Sequence, residues 1–308
     1  MAISHHRKDP FKAYIYAGLA VLFWSTAASA FKLTLGYINY VQILFIASLT
    51  SCAALFFILT FQQKLYLLRE TTNGDYLNSA ILGFLNPFLY YLILLKAYSI
   101  LPAQVAQPLN FTWPIMLVIL SVPLLKQRVS MLSLAAMIIS FAGVFLISSQ
   151  GNPFDLNIAD PFGVSLALGS SVIWALFWIY NIRDRRHEVA KLFLSFLFAS
   201  FYAAVVMVLS SGFESLNIFG TLGAIYIGLF EMGFTFVFWL KALQYAVSSE
   251  KVSNMIYLTP FFSLLLINLI IGENIHFTTL GGLILIVTGI VLQKLWSREH
   301  IKNDINAA

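Results

Sequence analysis

Apolar residues in this chain come in long, nearly unbroken runs, and polar residues are confined to the short gaps between them. The runs cover about 13–31, 41–61, 76–99, 102–125, 130–149, 162–181, 191–211, 218–243, 252–272 and 278–296. Each is close to the ~20 residues that cross a ~30 Å hydrocarbon core as helix. The pattern predicts an all-α polytopic membrane protein of ten transmembrane helices. Asp160-Pro161 supplies a helix cap followed by proline at the first helical position, and Asp75 and Thr278 are expected as further caps. The connections at 99–102 and 244–251 are short, and no gap is long enough to hold a soluble domain.

Composition agrees with the pattern. Hydrophobic residues make up 60% of the 308, charged residues 10%, and mean hydropathy is +0.85. A soluble domain carries roughly 25% charged residues, so this chain lacks the polar groups to cover itself in water. Its surface partner is the lipid bilayer. The single cysteine, Cys52, lies in an apolar run, so no intrachain disulfide is expected.

The net charge of +5 would suit nucleic acid, but the placement of the charges rejects that partner. Arg7, Lys8 and Lys12 precede the first span, and Lys64 and Arg69 lie between the second and third. Lys126 and Arg128 follow the fourth span; Arg183, Arg185, Arg186 and Lys191 follow the sixth. Lys241 and Lys251 flank the turn after the eighth, and Lys294, Arg298 and Lys302 end the chain. Of the 18 Lys and Arg residues, only Lys32 and Lys96 fall on the opposite side. The positive-inside rule makes the rich side cytoplasmic, with tails 1–12 and 297–308 both inside and the protein in the cytoplasmic membrane. Residues 1–30 also resemble a signal peptide, with Ala28-Ser29-Ala30 as a cleavage site. Internal repetition argues that the segment is retained as a span.

Lys96-Ala97 recurs as Lys241-Ala242, 145 positions later. Pro114 and Gly143 match Pro260 and Gly289 at an offset of 146, and Trp24 matches Trp174 at 150. Residues 13–149 and 162–296 therefore read as two repeats of five spans, joined by a linker at 150–161. Five is odd, so the second repeat enters the membrane in the opposite sense. Inverted repeats of this kind belong to secondary transporters, which hold their solute near the midplane.

Three stretches carry a resemblance to a known family: "LFWSTAASAFKL", "LKAYSILPAQVAQPLNFTWPIMLVILSVPLLKQRVSMLSLAAMIISFAGVFLI" and "LKALQYAVSSEKVSNMIYLTPFFSLLLINLIIGENIHFTTLGGLILIVTGIVL". Together they resemble the EamA family of the drug/metabolite transporter superfamily, over nearly the whole chain. The first copy reads "KQR" (Lys126 to Arg128) where that family usually has a glycine–glutamate pair, kept here only as Gly272-Glu273. The resemblance implies ten helices in two inverted bundles that move small metabolites.

Candidate site residues follow from polar groups in apolar runs. Gln104, Gln107 and Asn110 are spaced i, i+3, i+6 and share one broad helical face. Pro108 among them removes a backbone donor and frees a carbonyl one turn earlier. Such a defect is tolerated where protein or a water-filled cavity satisfies it; the plainer reading is that these amides join helices. Glu231, in "GLFEMGFTF", sits mid-span, where a charge costs at least ~2.5 kcal/mol and usually serves a function. The 145 offset pairs it with Asn86 in "GFLNPFLYY". Glu231 is thus a candidate to hold an amine-bearing or amino-acid-like solute or to carry a coupling proton; the alternative is a structural acid in a dry bundle. Trp24 and Trp174 are the first choices for an aromatic lining, among Trp113, Trp178, Trp239, Tyr90, Tyr91 and Tyr257. Asn254 and Tyr257 in the ninth span answer to the amides of the fourth. Ala136 with Gly143, and Gly282 with Gly289, make small-residue faces for packing between the repeats or in a homodimer.

His5, His6, His187, His276 and His300 do not cluster with acids or Cys52 at metal spacing, and no Gly-rich phosphate loop occurs. No metal, cofactor or ATPase activity is expected. The sequence reads first as a secondary transporter of a small metabolite. An intramembrane enzyme with Glu231 as acid or base is second, and lacks a visible second acid or nucleophile. A non-transporting scaffold or sensor is third, and has no need of a repeat around a polar midplane.

Overall fold

The computed structural model describes residues 8–125, 131–152, 160–181, 183–210, 217–247, 252 and 254–307. Arg7, Lys126, Gln127, Arg128, Lys251 and most of the 150–161 linker lie outside the described residues. Among the described residues, ten helices are long and apolar enough to cross a membrane: span 1 (Pro10–Leu35), span 2 (Tyr40–Phe61), span 3 (Asn73–Ile100), span 4 (Ala103–Leu124), span 5 (Met131–Ser148), span 6 (Pro161–Asn181), span 7 (Glu188–Leu209), span 8 (Ile218–Tyr245), span 9 (Asn254–Ile271) and span 10 (Phe277–Leu295). No strand occurs among the described residues. The helix of span 10 continues past the apolar run to Ala307.

Local chemistry sets the ends. Asp160 caps span 6, its Oδ1 accepting from Gly163 N at 2.9 Å, as the sequence predicts. Asp75 has a different part from the one expected. Thr72 is the cap of span 3, accepting from Asp75 N at 3.3 Å, while the Asp75 carboxylate reaches back to Thr72 N at 3.0 Å. That reciprocal pair is a capping box, with the acid at its third position. Thr278 is not the residue before span 10 but the second residue inside it, and its hydroxyl accepts from Gly151 N at 2.8 Å.

Four spans are interrupted. Span 3 opens into a π-turn over Phe84–Leu89, where Asn86 leaves helical geometry (φ −146°, ψ 124°) next to Pro87. Span 8 opens likewise over Ile227–Phe234. Span 9 begins as a 3-10 turn (Asn254–Leu258) and ends in a π-turn (Ile267–Ile271). Span 4 is helical over Ala103–Asn110 and again over Trp113–Leu125. Pro108 sits inside the first of these pieces, and the break falls after Asn110. It precedes Pro114, which has no N–H to give the Asn110 carbonyl.

The chain forms two compact units. One comprises Met1–Leu92 and Asp184–Ile271; the other comprises Ile93–Arg183 and Gly272–Ala308. In the first, span 2 packs between spans 7 and 8, and span 1 against spans 8 and 9. In the second, spans 5 and 10 form the most extensive contact and span 6 covers both pieces of span 4. The small residues of spans 5 and 10 face one another there. A Cβ added at Gly143 would lie 2.5 Å from the Gly282 carbonyl, and one at Gly289 would lie 2.5 Å from the Ala136 carbonyl.

One end of the first unit is held by ionic contacts. Arg186, in the connection before span 7, donates Nε to Asp184 Oδ1 at 3.0 Å and Nη2 to Ser79 Oγ at 2.8 Å, and lies 3.6 Å from Asp75. Asn78 Nδ2 donates to Asp184 Oδ2 at 3.0 Å. Burial would raise the Asp184 carboxyl, but the hydrogen bonds and charge of Arg186, with Lys191, outweigh it and hold the group below its usual range. The connection between spans 6 and 7 is thereby tied to the start of span 3.

Candidate solute-binding site

Glu231 lies in the opened turn of span 8 and is 8% exposed. Tyr91, on span 3 and fully buried, donates its hydroxyl to Glu231 Oε1 at 3.2 Å. Glu231 Oε2 is buried with no hydrogen-bond partner among the described residues. Asn86, 1% exposed, lies in the opened turn of span 3, and its Oδ1 is likewise without a partner there. Buried polar atoms are nearly always satisfied, so two unpaired acceptors at matching positions of spans 3 and 8 are a chemical signal. Both can receive a hydrogen bond from a donor group on a solute.

The two turns are built alike. Gly83 and Gly228 each stand three residues before the polar side chain. A Cβ on Gly83 would collide with the backbone of Ser195 on span 7, and one on Gly228 would lie 2.5 Å from the Ala47 carbonyl on span 2. Glycine lets a neighbouring helix press onto each turn at the point where its ladder changes from i+4 to i+5. Such turns re-aim side chains. This is why the two polar groups, which an even helix would place by 3.6-residue periodicity alone, point into the interior of the unit.

Tyr91, the partner of Glu231, packs among aromatic rings, and a second aromatic group lies in the same unit. Phe31 meets Tyr91 edge to face at 6.3 Å, and Tyr90 meets Tyr91 at 4.6 Å. Trp24 packs on Trp239 at 5.6 Å and on Phe236 at 6.0 Å. Asn254 and Tyr257 belong to the same unit, in the 3-10 turn that starts span 9; Asn254 is exposed and Tyr257 half-buried.

The amides of span 4 and Trp174 lie in the other compact unit. Each amide meets a different helix. Gln104 donates to the Asn274 carbonyl at 2.9 Å and accepts from His276 N at 2.9 Å and Thr279 Oγ1 at 3.2 Å. Gln107 accepts from Tyr98 at 3.1 Å, and Asn110 donates to Ser170 Oγ at 2.8 Å. Successive steps of three residues turn a helix by about 300°, and the three amides reach different neighbours. Trp174 packs in an aromatic group with Phe177 and Trp178, each at 6.1 Å.

Three contacts escaped the sequence reading. Tyr91 is a candidate there for its ring, not for its hydroxyl bond to Glu231. Glu273 accepts from Ala103 N at 2.8 Å and Gln104 N at 3.0 Å, capping the first turn of span 4 from the connection before span 10. Ser51, on span 2, donates to the Gly228 carbonyl at 2.6 Å. The glycines were legible: "GFLN" and "GLFE" align at the same offset as Asn86 and Glu231.

Among the described residues, ten helices long and apolar enough to cross a membrane, two of them opened midway around buried polar side chains, define a multi-pass membrane protein. The chain belongs to the EamA-like transporter family, whose sequence profile matches residues 11–149 and again 161–293. It is 29% identical to the uncharacterized transporter YvbV of Bacillus subtilis (strain 168), over 91% of this chain and 90% of that protein. It is 23% identical to an uncharacterized transporter of Clostridium kluyveri, over 96% of each chain. One solved crystal structure superposes with a TM-score of 0.67 at 19% identity, covering 96% of this chain and 99% of that one. The protein is a membrane transporter.

Proposed function

We propose that the transporter moves a small amine-bearing or amino-acid-like metabolite, and that Glu231 and Asn86 receive it. The observation that carries this reading is the pair of buried, unpaired acceptor atoms, Glu231 Oε2 and Asn86 Oδ1, in the two opened turns. An ammonium group donates up to three hydrogen bonds and carries the charge that a buried carboxylate lacks a partner for. Trp24, Asn254 and Tyr257 of the same unit supply aromatic faces and further polar atoms, and rings of this kind attract cations. Movement follows from two inverted five-span repeats exchanging conformations, which exposes the solute to each side in turn. Counter-flow of labelled amino acids and polyamines in proteoliposomes tests it: protein-dependent exchange of at least one amine-bearing solute is expected. Exchange confined to solutes without an amine would overturn the solute class.

The same reading places both termini on the cytoplasmic side of the cell membrane, from the distribution of Lys and Arg. Reporter fusions in the 149–161 connection should then read outside, and fusions in the 182–191 connection should read inside. The reverse pattern at both sites would sink the inverted arrangement.

A further inference from the structure

Positions 83 to 91 and 228 to 236 are equivalent under the 145-residue offset, yet their turns are held differently. Gly83 presses on Ser195 of span 7 and Gly228 on Ala47 of span 2, so residues 47 and 195 also correspond, at an offset of 148. One helical turn further on, that offset pairs Ser51 with Ala199. Both side chains are fully buried, but only the serine can donate a hydrogen bond. Ser51 Oγ gives that bond to the Gly228 carbonyl, 2.6 Å away. Within the same turn, the Thr235 hydroxyl donates to the Phe230 carbonyl; its equivalent under the 145 offset is Tyr90. In span 3 the turn is opened by Pro87, which removes a donor outright. Span 8 has no proline in its turn, and hydroxyls hold its carbonyls instead. A side chain that enters the ladder from outside is a recognised cause of such an opening.

We infer that Ser51 is a positioning residue for Glu231: its hydroxyl on span 2 holds the opened turn of span 8 in the register that aims the acid at Tyr91. The inference rests on the reading of Glu231 as the solute-binding acid. The asymmetry of the hydroxyl matches the asymmetry of the acid. The repeat whose turn carries a carboxylate is the one whose turn is tied from a neighbouring helix, and the repeat carrying Asn86 has alanine there. Ser51 touches no solute in this scheme; it acts through the Gly228 carbonyl, three residues before the acid.

The test reads Glu231 without needing the solute. N,N′-dicyclohexylcarbodiimide is an apolar reagent that modifies protonated carboxyl groups, and its rate at Glu231 in liposomes is followed by peptide mass spectrometry at fixed pH. Ser51→Ala is expected to change that rate about fivefold, the size set by the loss of one net hydrogen bond. Ser48→Ala removes an equally buried hydroxyl one turn away on the same span, and Ser48 Oγ has no partner among the described residues. It is expected to leave the rate at the wild-type value. If Ser51→Ala labels like the wild type, or Ser48→Ala shifts the rate as far, the inference is overturned. Should Ser51→Ala fail to fold, Ser51→Cys, whose thiol is a weak donor, is read by the same criteria. Failure of the solute reading shows separately: Glu231→Gln would transport like the wild type, while the labelling result still decides the part of Ser51.

Discussion

Glu231→Gln is expected to abolish solute accumulation in proteoliposomes. Glutamine keeps the size of the side chain and can still accept from Tyr91, 3.2 Å from Oε1, but it carries no charge and cannot exchange a proton. The loss should be near complete, because a buried charge left without its counterpart costs about 3–5 kcal/mol, a factor of a hundred or more in binding. The mutant separates two ways of using the acid. A fixed anion that holds an ammonium group loses binding altogether, so gradient-free exchange disappears with accumulation. A proton carrier loses only its coupling, so exchange persists while accumulation stops. Wild-type transport by Glu231→Gln at every pH would reduce the acid to a structural role.

The second large effect is expected at Asp184. Asp184→Ala strips Arg186 of its closest carboxylate and Asn78 of its acceptor, in a side chain only 4% exposed. A loss of about 2–3 kcal/mol should follow, since a guanidinium is left largely buried with Asp75 alone nearby. Thermal unfolding in detergent measures it. The sign with pH is fixed by the lowered carboxyl. In acid the unfolded chain takes up the proton first, so the contribution is complete above the usual carboxylate range near pH 4 and is lost as pH falls below it. The wild type should therefore lose more stability than Asp184→Asn as pH is lowered from that range further into acid. Equal losses in the two proteins would show that the contacts of Asp184 are not what the acid removes.

Span placement was readable because lipid imposes one demand on every helix, a long apolar run, and the runs at 41–61 and 162–181 coincide with helices Tyr40–Phe61 and Pro161–Asn181. The acid at 231 was readable for the same reason, as a charge where lipid forbids one. Its handling was not. Apolarity says nothing of whether a helix keeps an i+4 ladder, so the opened turns at 84–89 and 227–234 had no signal in hydropathy. They had one in paired glycines whose meaning depends on what presses against them. The amides of span 4 show the opposite limit. Spacing puts three polar side chains on one face but does not name their partners: Gln104 bonds to Asn274, His276 and Thr279, residues about 170 positions away. The helix break in the same span precedes Pro114, while Pro108 stays within helix.

The cap on span 4 bears on how the chain is made. Two amide groups at its first turn, those of Ala103 and Gln104, are satisfied by a carboxylate that the ribosome adds only at residue 273. A nascent chain that has emerged through span 9 still carries those donors without their acceptor, and buried donors left unmet are costly. The first turn of span 4 is therefore completed close to the end of synthesis, whenever that helix was inserted. A protein cut short before Glu273 keeps nine of the ten membrane spans found among the described residues and still lacks the group that closes the first turn of the fourth.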